Sequence, residues 1–316
     1  MKYEAEAKEF LKQAEGKVGI LFHDDGDGVC SAALLLAYLK EKGADAVAMP
    51  GKLEDGFYRE FAAKPFDSYI IVDMAADQHP NALASLKGRR AILIDHHPIH
   101  NDLNKIGIVH FNPRFEKPDA YVCASHCVYD LIGKPKEFEW LMRLGAVSDH
   151  EVEGTDEEGE ASDTVNAVAA MKTFPALAKL AVFLSKCGNM KEFLDNAAYK
   201  KLKTAFEKEI ETQIAKYECE VSGNVTFFEV KSRYGISGML STKLFDLYPK
   251  RTIILYRRRK NMWGVSGRSH KYDMAALMSK AAEGIGDAGG HPVAAGANVS
   301  DFKTFKKRLE ELLKAS

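Results

Sequence analysis

The 316-residue chain has no long apolar segment and few cysteines. Its longest wholly apolar run, residues 32–39, is far shorter than the ~18–20 residues of a membrane-spanning helix, so the sequence predicts no membrane association. Five cysteines, an odd number, argue against a disulfide framework and indicate free thiols in a reducing compartment. The first ten residues alternate charge with alanine and lack a signal-peptide apolar region, which predicts a cytoplasmic protein.

Composition and charge indicate a globular protein of two domains. Hydrophobic residues make up 46% of the chain and charged residues 28%, which excludes a disordered or fibrous architecture. One hydrophobic core stops growing near ~250–300 residues, a length that this chain exceeds. Residues 1–163 contain 18 Lys and Arg against 30 Asp and Glu, whereas residues 164–316 contain 26 against 15. The asymmetry suggests cations bound by one half and a polyanion by the other, although drift can also produce it.

The first 150 residues alternate short apolar runs with helical patterns, which predicts an α/β fold with a parallel sheet and helices on both faces. The predicted strands are Lys17–Phe22, Ala46–Met49, Ser68–Asp73, Arg90–Asp95 and Ile106–Phe111. The predicted helices between them are Gly28–Lys42, Asp55–Ala63 and Pro80–Leu86. We expect residues 1–190 to form this N-terminal domain.

Helical patterns dominate the middle of the chain, and a β/α pattern returns after Gly223. We expect the acidic stretch Glu151–Asp163 to be an exposed loop and Met190–Tyr217 to be helical. Further strands are predicted at Val225–Val230, Thr252–Tyr256 and Asn261–Arg268, and helices at Ser237–Leu247, Tyr272–Glu283 and Asp301–Lys314. A glycine-rich segment, residues 284–298, separates the last two helices. Residues 191–220 are therefore expected to be a helical connector, and residues 221–316 a smaller α/β domain.

Acidic and imidazole side chains occur where the predicted strands end. They are His23, Asp25 and Asp27 after the first strand, Asp73, the run Asp95-His96-His97, and Asp149 after a helical segment. Ligands bind at the carboxyl ends of strands in open α/β sheets. Clustered carboxylates repel one another unless cations lie between them, and these ligand types without thiolates favour Mn²⁺, with Mg²⁺ or Co²⁺ as alternatives. More than four ligands indicates two metal ions, which suit in-line phosphoryl displacement.

Two other interpretations of residues 23–28 fail, and a third stays open. A calcium EF-hand loop requires a glutamate at its twelfth position, which here is Leu34. A dinucleotide-binding loop requires a third glycine where the chain has Ser31, and Asp27 would repel a pyrophosphate. Ordinary solvated acids in a βα loop are the remaining alternative, against which the four separate sites argue.

The chain resembles the DHH-family phosphoesterases, which include RecJ nucleases and short-oligonucleotide RNases. The motifs that match in order are H-x-D-x-D-G at residues 23–28, Asp73, D-H-H at residues 95–97 and Asp149. Near the end, Gly289-Gly290-His291 and the following Ala294-Ala295-Gly296 resemble the G-G-H-x-x-A-A-G of the associated DHHA1 domain, although the usual preceding glycine is Ala288. The resemblance implies a catalytic DHH domain at residues 1–190 and a substrate-binding DHHA1 domain at residues 221–316.

The family pattern also implies a role for each matched residue. One metal ion would be bound by His23, Asp25 and Asp73, and a second by Asp27, Asp73, His96 and Asp149. Asp73 would bridge the two ions, Asp95 would orient a histidine, and His97 would face the scissile phosphate. A hydroxide between the ions would be the nucleophile.

Charge in the last domain favours a nucleotide chain as the substrate. Residues 221–316 contain 17 basic and 8 acidic residues. We expect this domain to contact substrate phosphates through Arg268, Ser266, Gly289, Gly290 and His291. The expected activity is exonucleolytic cleavage of single-stranded DNA or RNA, or of short oligonucleotides, to nucleoside monophosphates. Alternatives are a phosphodiesterase or phosphatase for cyclic dinucleotides or 3′-phosphoadenosine phosphate, and a non-catalytic binding module with partners in DNA replication or repair.

Overall fold

The computed structural model describes residues 1–171 and 173–315, which fall into two compact units. The first unit is Met1–Lys203 and the second is Thr204–Ser316. Each unit contains a five-stranded sheet covered by helices, so the predicted α/β class is confirmed for both. Among the described residues, no helix is both long and apolar enough to cross a membrane.

The first unit is built on five parallel strands in the order β2-β1-β3-β4-β5. They are β1 (Lys17–His23), β2 (Asp45–Gly51), β3 (Ser68–Val72), β4 (Ala91–Ile94) and β5 (Val109–Phe111). The helices are α1 (Glu4–Lys12), α2 (Gly26–Glu41), α3 (Asp55–Ala62), α4 (Ala124–Leu131), α5 (Glu139–Ser148), α6 (Asp156–Met171), α7 (Phe174–Leu184), α8 (Met190–Leu194) and α9 (Ala197–Glu220), which extends past Lys203.

Alternate residues of the central strands enter two separate hydrophobic cores, because successive side chains of a strand point to opposite faces. Ile20 of β1 and Ile70 of β3 lie in the core that contains most of α2. Their sequence neighbours Leu21 and Ile71 lie in the core that contains Phe61 of α3. Burial on both faces explains why these strands are continuous Ile- and Val-rich runs, and it fixes which strand ends lie side by side.

The second unit contains a mixed sheet in the order β6-β7-β8-β10-β9. Its strands are β6 (Val225–Glu229), β7 (Thr252–Arg259), β8 (Met262–Arg268), β9 (Gly286–Gly290) and β10 (Ala294–Val299). Its further helices are α10 (Ser237–Leu247), α11 (Met274–Ala282) and α12 (Phe302–Ala315). Strands β6 and β7 pair in parallel, and the other three pairings are antiparallel. Met274, Met278, Phe305 and Leu309 lie in its buried core.

The acidic stretch Glu151–Asp163 is not a loop as predicted, because helix α6 begins within it at Asp156. Thr155 and Glu158 form a capping box: the Glu158 amide donates to Thr155 Oγ1 at 3.3 Å, and the Thr155 amide donates to Glu158 Oε2 at 2.8 Å. The acids of the first turn also interact favourably with the helix dipole. Local capping therefore outweighs the polar composition on which the loop prediction depended.

Three other expectations differ from the structure. Within Pro80–Leu86, only residues 84–86 are helical, as one 3₁₀ turn. So short a segment forms too few hydrogen bonds to offset the free energy of helix nucleation. Met190–Tyr217 is interrupted, since the side chain of Asn196 accepts from the amides of Ala198 and Tyr199 and starts a new helix. The glycine-rich segment forms β9 and β10, a pairing so close that a Cβ on Gly286 would lie 2.0 Å from the Asn298 carbonyl oxygen.

Replacing Thr155 with alanine should destabilise the first unit by about 1 kcal/mol, because the Glu158 amide loses its capping oxygen. Thr173→Ala is the matched control, since Thr173 also precedes a helix but makes no side-chain cap hydrogen bond. Urea unfolding followed by circular dichroism measures both changes. Equal effects of the two substitutions would show that the capping box does not stabilise α6.

Candidate metal centre

The loop after β1 is shaped by the residues that carry its chemistry. Asp25 caps α2, and its Oδ1 accepts a hydrogen bond from the Gly28 amide at 3.0 Å. A Cβ on Gly28 would lie 2.3 Å from the His23 carbonyl oxygen, so only glycine permits this tight turn. The turn places His23 at the strand end and buries Asp27 in the first turn of α2. Capping and steric exclusion therefore bring three potential ligands together.

Two further acids, Asp73 and Asp95, follow the adjacent parallel strands β3 and β4 and lie at the same edge of the sheet. Asp73 follows β3 in a left-handed backbone conformation with φ 58°, and it is 2% exposed. Asp95 follows β4 and is 1% exposed. Because β1, β3 and β4 are neighbours, the ends that carry His23, Asp73 and Asp95 adjoin. A left-handed aspartate is strained, and such strain is characteristic of functional sites.

Asp73 lies between two groups of ligand-type atoms. On one side, His23 Nδ1 lies 2.6 Å from Asp25 Oδ2 and 3.9 Å from Asp73 Oδ2. On the other side, His96 Nε2 lies 3.2 Å from Asp73 Oδ1, and His96 Nδ1 lies 3.8 Å from Asp149 Oδ2. Asp73 thus has one carboxylate oxygen near each of the two groups.

Three sets of residues each offer ligand atoms within 4.8 Å of one another. The sets are His23, Asp25 and Asp73; Asp27, His96 and Asp149; and Asp73, His96 and His97. All six residues expected to bind metal therefore lie in one cluster. His97 was expected to face the substrate. The third set shows that it also offers a ring nitrogen within 4.8 Å of ligand atoms of Asp73 and His96.

Three buried polar atoms of the cluster have no hydrogen-bond partner among the described residues. They are Asp73 Oδ2, His96 Nδ1 and Asp149 Oδ2. An unpartnered buried polar atom costs about 1–3 kcal/mol, and more when it is charged. A divalent cation would satisfy such atoms, and carboxylate oxygens with imidazole nitrogens are a suitable donor set. The residues present therefore fit one or more bound metal ions.

Burial and charge repulsion raise the pKa of Asp27, Asp73 and Asp149. Burial also acts to raise the pKa of Asp25, but the charge and hydrogen bond of His23 lower it overall. Burial first, and the charge of Asp25 next, raise the pKa of Asp73 well above its usual range. Burial and the charge of Asp27 raise the pKa of Asp149 to about 7. For His23, burial acts to lower the pKa, but the charge and hydrogen bond of Asp25 raise it to about 9. The raised pKa values of Asp73 and Asp149 favour protons that a bound cation would displace.

Hydrogen bonds that involve main-chain groups hold several residues of the cluster in place. Asp27 Oδ2 and Oδ1 accept from the amides of Ala124 and Ser125, at the start of α4, at 2.7 and 2.9 Å. Arg114 Nε donates to the His96 carbonyl oxygen at 2.7 Å, and Asn112 Nδ2 donates to the His97 carbonyl oxygen at 2.9 Å. Sequence reasoning missed all four of these supporting residues. Their signal is an Asn-Pro-Arg run directly after β5 and a helix start facing the sheet edge.

The remaining predicted residues lie in the second unit. Ser266 and Arg268 are on β8, with Arg268 Nη1 3.4 Å from Ser266 Oγ. Gly289 and Gly290 end β9, and His291 follows in the turn to β10. Strand β10 joins the two groups, because Ala294 pairs with Arg268 and Ala295 pairs with Gly290. A Cβ on Gly290, at φ 136°, would lie 2.5 Å from the Ala294 carbonyl oxygen.

Arg268 is a half-buried cation without an acidic partner among the described residues. Its guanidinium donates to the Gly267 carbonyl oxygen at 3.0 Å and to Thr242 Oγ1 at 3.3 Å. Burial lowers the pKa of Arg268, and no neighbouring carboxylate compensates within the described parts of the chain. A positive charge held this way is suited to a phosphate group.

The fold and the acidic cluster together define a metal-dependent phosphoesterase. Residues 17–149 match the model of the DHH family, N-terminal domain, and residues 222–316 match that of the DHHA1 domain. The chain therefore belongs to the DHH family of phosphoesterases, as its motifs suggested. No curated relative matches it in sequence.

Several solved structures share the fold. An exonuclease RecJ bound to manganese is 17% identical, with a TM-score of 0.71 over 99% of this chain and 94% of that chain. RecJ in complex with Mn²⁺ from Thermus thermophilus is 18% identical, with a TM-score of 0.75 over 100% of this chain and 55% of that chain. The pGpG-specific phosphodiesterase PggH from Vibrio cholerae is 16% identical, with a TM-score of 0.58 over 95% of this chain and 97% of that chain. This chain thus spans about half the length of the Thermus RecJ.

Mn²⁺ should raise the melting temperature of the wild-type chain, because it binds only the folded cluster. At ~100 times its dissociation constant, one ion contributes about 2.7 kcal/mol, or roughly 5 °C or more for a domain of this size. Asp73→Asn should abolish most of this shift while leaving the metal-free protein at least as stable, since the amide cannot ionise beside the neighbouring acids that raise the pKa of Asp73. Differential scanning fluorimetry measures the shift.

Asp119→Asn is the control for this experiment, because Asp119 is exposed and lies outside the cluster. It should retain the full Mn²⁺-dependent shift. A wild-type shift in Asp73→Asn would contradict a central role for Asp73 in metal binding.

Proposed function

We propose that this chain is a two-metal phosphodiesterase that removes nucleoside monophosphates from the end of single-stranded DNA, RNA or short oligonucleotides. The observation that carries the proposal is the cluster in which the buried Asp73 lies between two groups of ligand atoms. Two cations held in this way suit in-line displacement at phosphorus. The excess of basic residues in residues 221–316 favours a polyanionic substrate.

The proposed ligand sets follow the geometry. One cation is assigned to His23, Asp25 and Asp73, and the other to Asp27, Asp73, His96 and Asp149. Mn²⁺ is the proposed ion, with Mg²⁺ and Co²⁺ as alternatives, because the donors are carboxylates and imidazoles without thiolates. RecJ structures bound to Mn²⁺ and to Mg²⁺ share this fold, which supports the choice. When bound, two such cations supply Lewis-acid stabilisation of the phosphate and a water of lowered pKa.

Asp95 and His97 are the residues that we assign to the reacting phosphate. Asp95 Oδ1 accepts from His97 Nδ1 at 2.8 Å, which fixes the tautomer and leaves Nε2 for the substrate. The side chain of His97 is 29% exposed, whereas that of Asp95 is 1% exposed, so only the imidazole is accessible. Burial acts to lower the pKa of His97, but the charge and hydrogen bond of Asp95 raise it overall. The raised pKa favours a proton on His97, and we assign it to donation to a phosphate oxygen or to the leaving oxygen.

Substrate positioning is assigned to the second unit. The Arg268 guanidinium would bind a terminal or neighbouring phosphate with Ser266, and the Gly289-Gly290-His291 turn would add amide and imidazole donors. In this division, residues 1–190 are catalytic, residues 191–220 connect, and residues 221–316 bind the substrate. The boundary between the compact units at Lys203 and Thr204 falls inside the connector and supports the division.

A linear dinucleotide is the second candidate substrate. PggH, described as a pGpG-specific phosphodiesterase, shares this fold, and the chain covers 97% of its length, which supports a short substrate as an alternative. A non-catalytic binding module is disfavoured, because all six proposed metal ligands are present and clustered.

End-labelled single strands of graded length should yield mononucleotides in the presence of Mn²⁺, and EDTA should abolish the reaction. Duplexes should be poor substrates, because base stacking and phosphate contacts of the proposed kind favour an unpaired strand. Denaturing gel electrophoresis of RNA and DNA ladders measures product size and polarity. Asp73→Asn should be inactive and Asp119→Asn active. Full activity after metal removal, or efficient nicking of a closed circular strand, would overturn the proposal.

Arg268→Ala and His291→Ala should each lower oligonucleotide cleavage by roughly tenfold or more, the scale expected when a charge-assisted hydrogen bond is removed. Hydrolysis of a small activated phosphodiester, which lacks neighbouring phosphates, should fall much less. Steady-state kinetics on both substrates separates the effects. Arg59→Ala is the control, because Arg59 makes an exposed ion pair with Asp55 far from these groups in the chain. Equal decreases on both substrates would show that Arg268 and His291 act on the chemistry or the fold.

A further inference from the structure

The second unit contains a basic cavity of about 330 Å³ that none of the roles above uses. It is lined by Pro249, Lys250, Arg251, Ser269, His270 and Lys271. Three of these residues are permanent cations, one is a histidine, and none is acidic. Lys250, His270 and Lys271 are exposed. The cavity is therefore a concave concentration of positive charge.

Aromatic groups, rather than carboxylates, hold two of these cations among the described residues. Arg251 lies 4.4 Å from the ring centroid of Tyr248. Lys271 Nζ lies 2.8 Å from the Tyr272 hydroxyl and 4.6 Å from the centroid of its ring. Cation–π and hydroxyl contacts orient a cation without cancelling its charge. The cavity thus presents its charge to a ligand from solution.

His270 gives the cavity a flat surface. Its ring lies against Phe245 of α10, with centroids 4.3 Å apart and an angle of 36° between the planes. This contact covers part of the imidazole, and the residue remains exposed. A supported ring beside phosphate-binding cations is the arrangement on which bases of single-stranded nucleic acids stack.

Helix α10 places this cavity next to Arg268. Arg268 Nη2 contacts Thr242 Oγ1 at 3.3 Å, whereas His270 stacks on Phe245. Thr242 and Phe245 are three residues apart on α10 and are neighbours on its surface, about 4.5 Å apart along the axis. A strand whose phosphate binds Arg268 would reach the cavity with its next nucleotides.

We propose that this cavity is a second nucleotide-binding subsite, in which Lys250 and Lys271 bind phosphates and His270 stacks a base of the same strand. The inference rests on the proposed function and names its occupant as the part of a single strand beyond the nucleotide at Arg268. Charge complementarity carries it, since four basic groups face a ligand with one negative charge per nucleotide. The enzyme would then bind longer strands more tightly than dinucleotides.

The test measures binding of a fluorescent 12-nucleotide strand and a labelled dinucleotide to the full chain in EDTA, by anisotropy over a range of salt concentrations. Lys250→Gln/Lys271→Gln should raise the Kd of the 12-nucleotide strand by about tenfold. The slope of log K against log salt should fall by about 1.4, because each of the two lysines would neutralise one phosphate and each phosphate accounts for ~0.7. His270→Ala should also weaken binding of this strand. Lys303→Gln/Lys307→Gln is the control, because it removes the same charge from exposed positions on α12.

The possible outcomes separate failure of the proposed subsite from failure of the proposed function. Equal Kd values and salt slopes for the cavity variant and the control would overturn the subsite, even if the wild-type chain hydrolyses the strand in Mn²⁺. A wild-type chain that neither binds nor hydrolyses the strand would overturn the proposed function itself. Displacement of the strand from the cavity by an acidic peptide at lower concentration than by an unlabelled strand would assign the cavity to a protein partner and overturn the subsite.

Discussion

Repulsion between buried carboxylates is the constraint on which the first unit depends. Asp25, Asp27, Asp73 and Asp149 converge at the carboxyl edge of one parallel sheet. Asp27 and Asp73 are 2% exposed and lose most of their solvation, whereas the side chains of Asp149 and Asp25 are 24% and 47% exposed. Asp73 is the extreme case, since it is 2% exposed, adopts a left-handed backbone and has an unpartnered oxygen among the described residues. Protonation or bound cations relieve this repulsion, and cations bound at this edge connect the fold to phosphoester hydrolysis.

The surroundings of the cluster restrict the movement that would relieve this repulsion. The first amides of α4 bind both oxygens of Asp27, and Asn112 and Arg114 bind the main chain of the two histidines. Helix α5 packs closely behind them, since a Cβ on Gly145 would lie 2.9 Å from Asp27 Oδ1. The ligand atoms are thus held near one another before any ion arrives, and such preorganisation lowers the cost of metal binding.

A site residue could be predicted from the sequence where the strand topology sets its position, and not where it binds a main-chain group. His23, Asp25 and Asp73 could be placed because parallel strands bring their carboxyl ends to one edge whatever the loops do. Asn112 and Arg114 were missed, because their partners are main-chain carbonyl groups and only their position directly after β5 indicated a role. The start of α6 had a local signal, the Thr155–Glu158 capping box, which acidic composition obscured. Strands β9 and β10 were missed because glycine disfavours strands unless two backbones must approach closely.

The central claim is that two cations share Asp73, and anomalous diffraction from a crystal grown with Mn²⁺ tests it most directly. The account predicts two anomalous peaks roughly 3.5–4 Å apart, with one carboxylate oxygen of Asp73 directed at each. It also predicts that His23 and His96 lie beside different peaks. A single peak, or two peaks that do not share Asp73, would contradict the account.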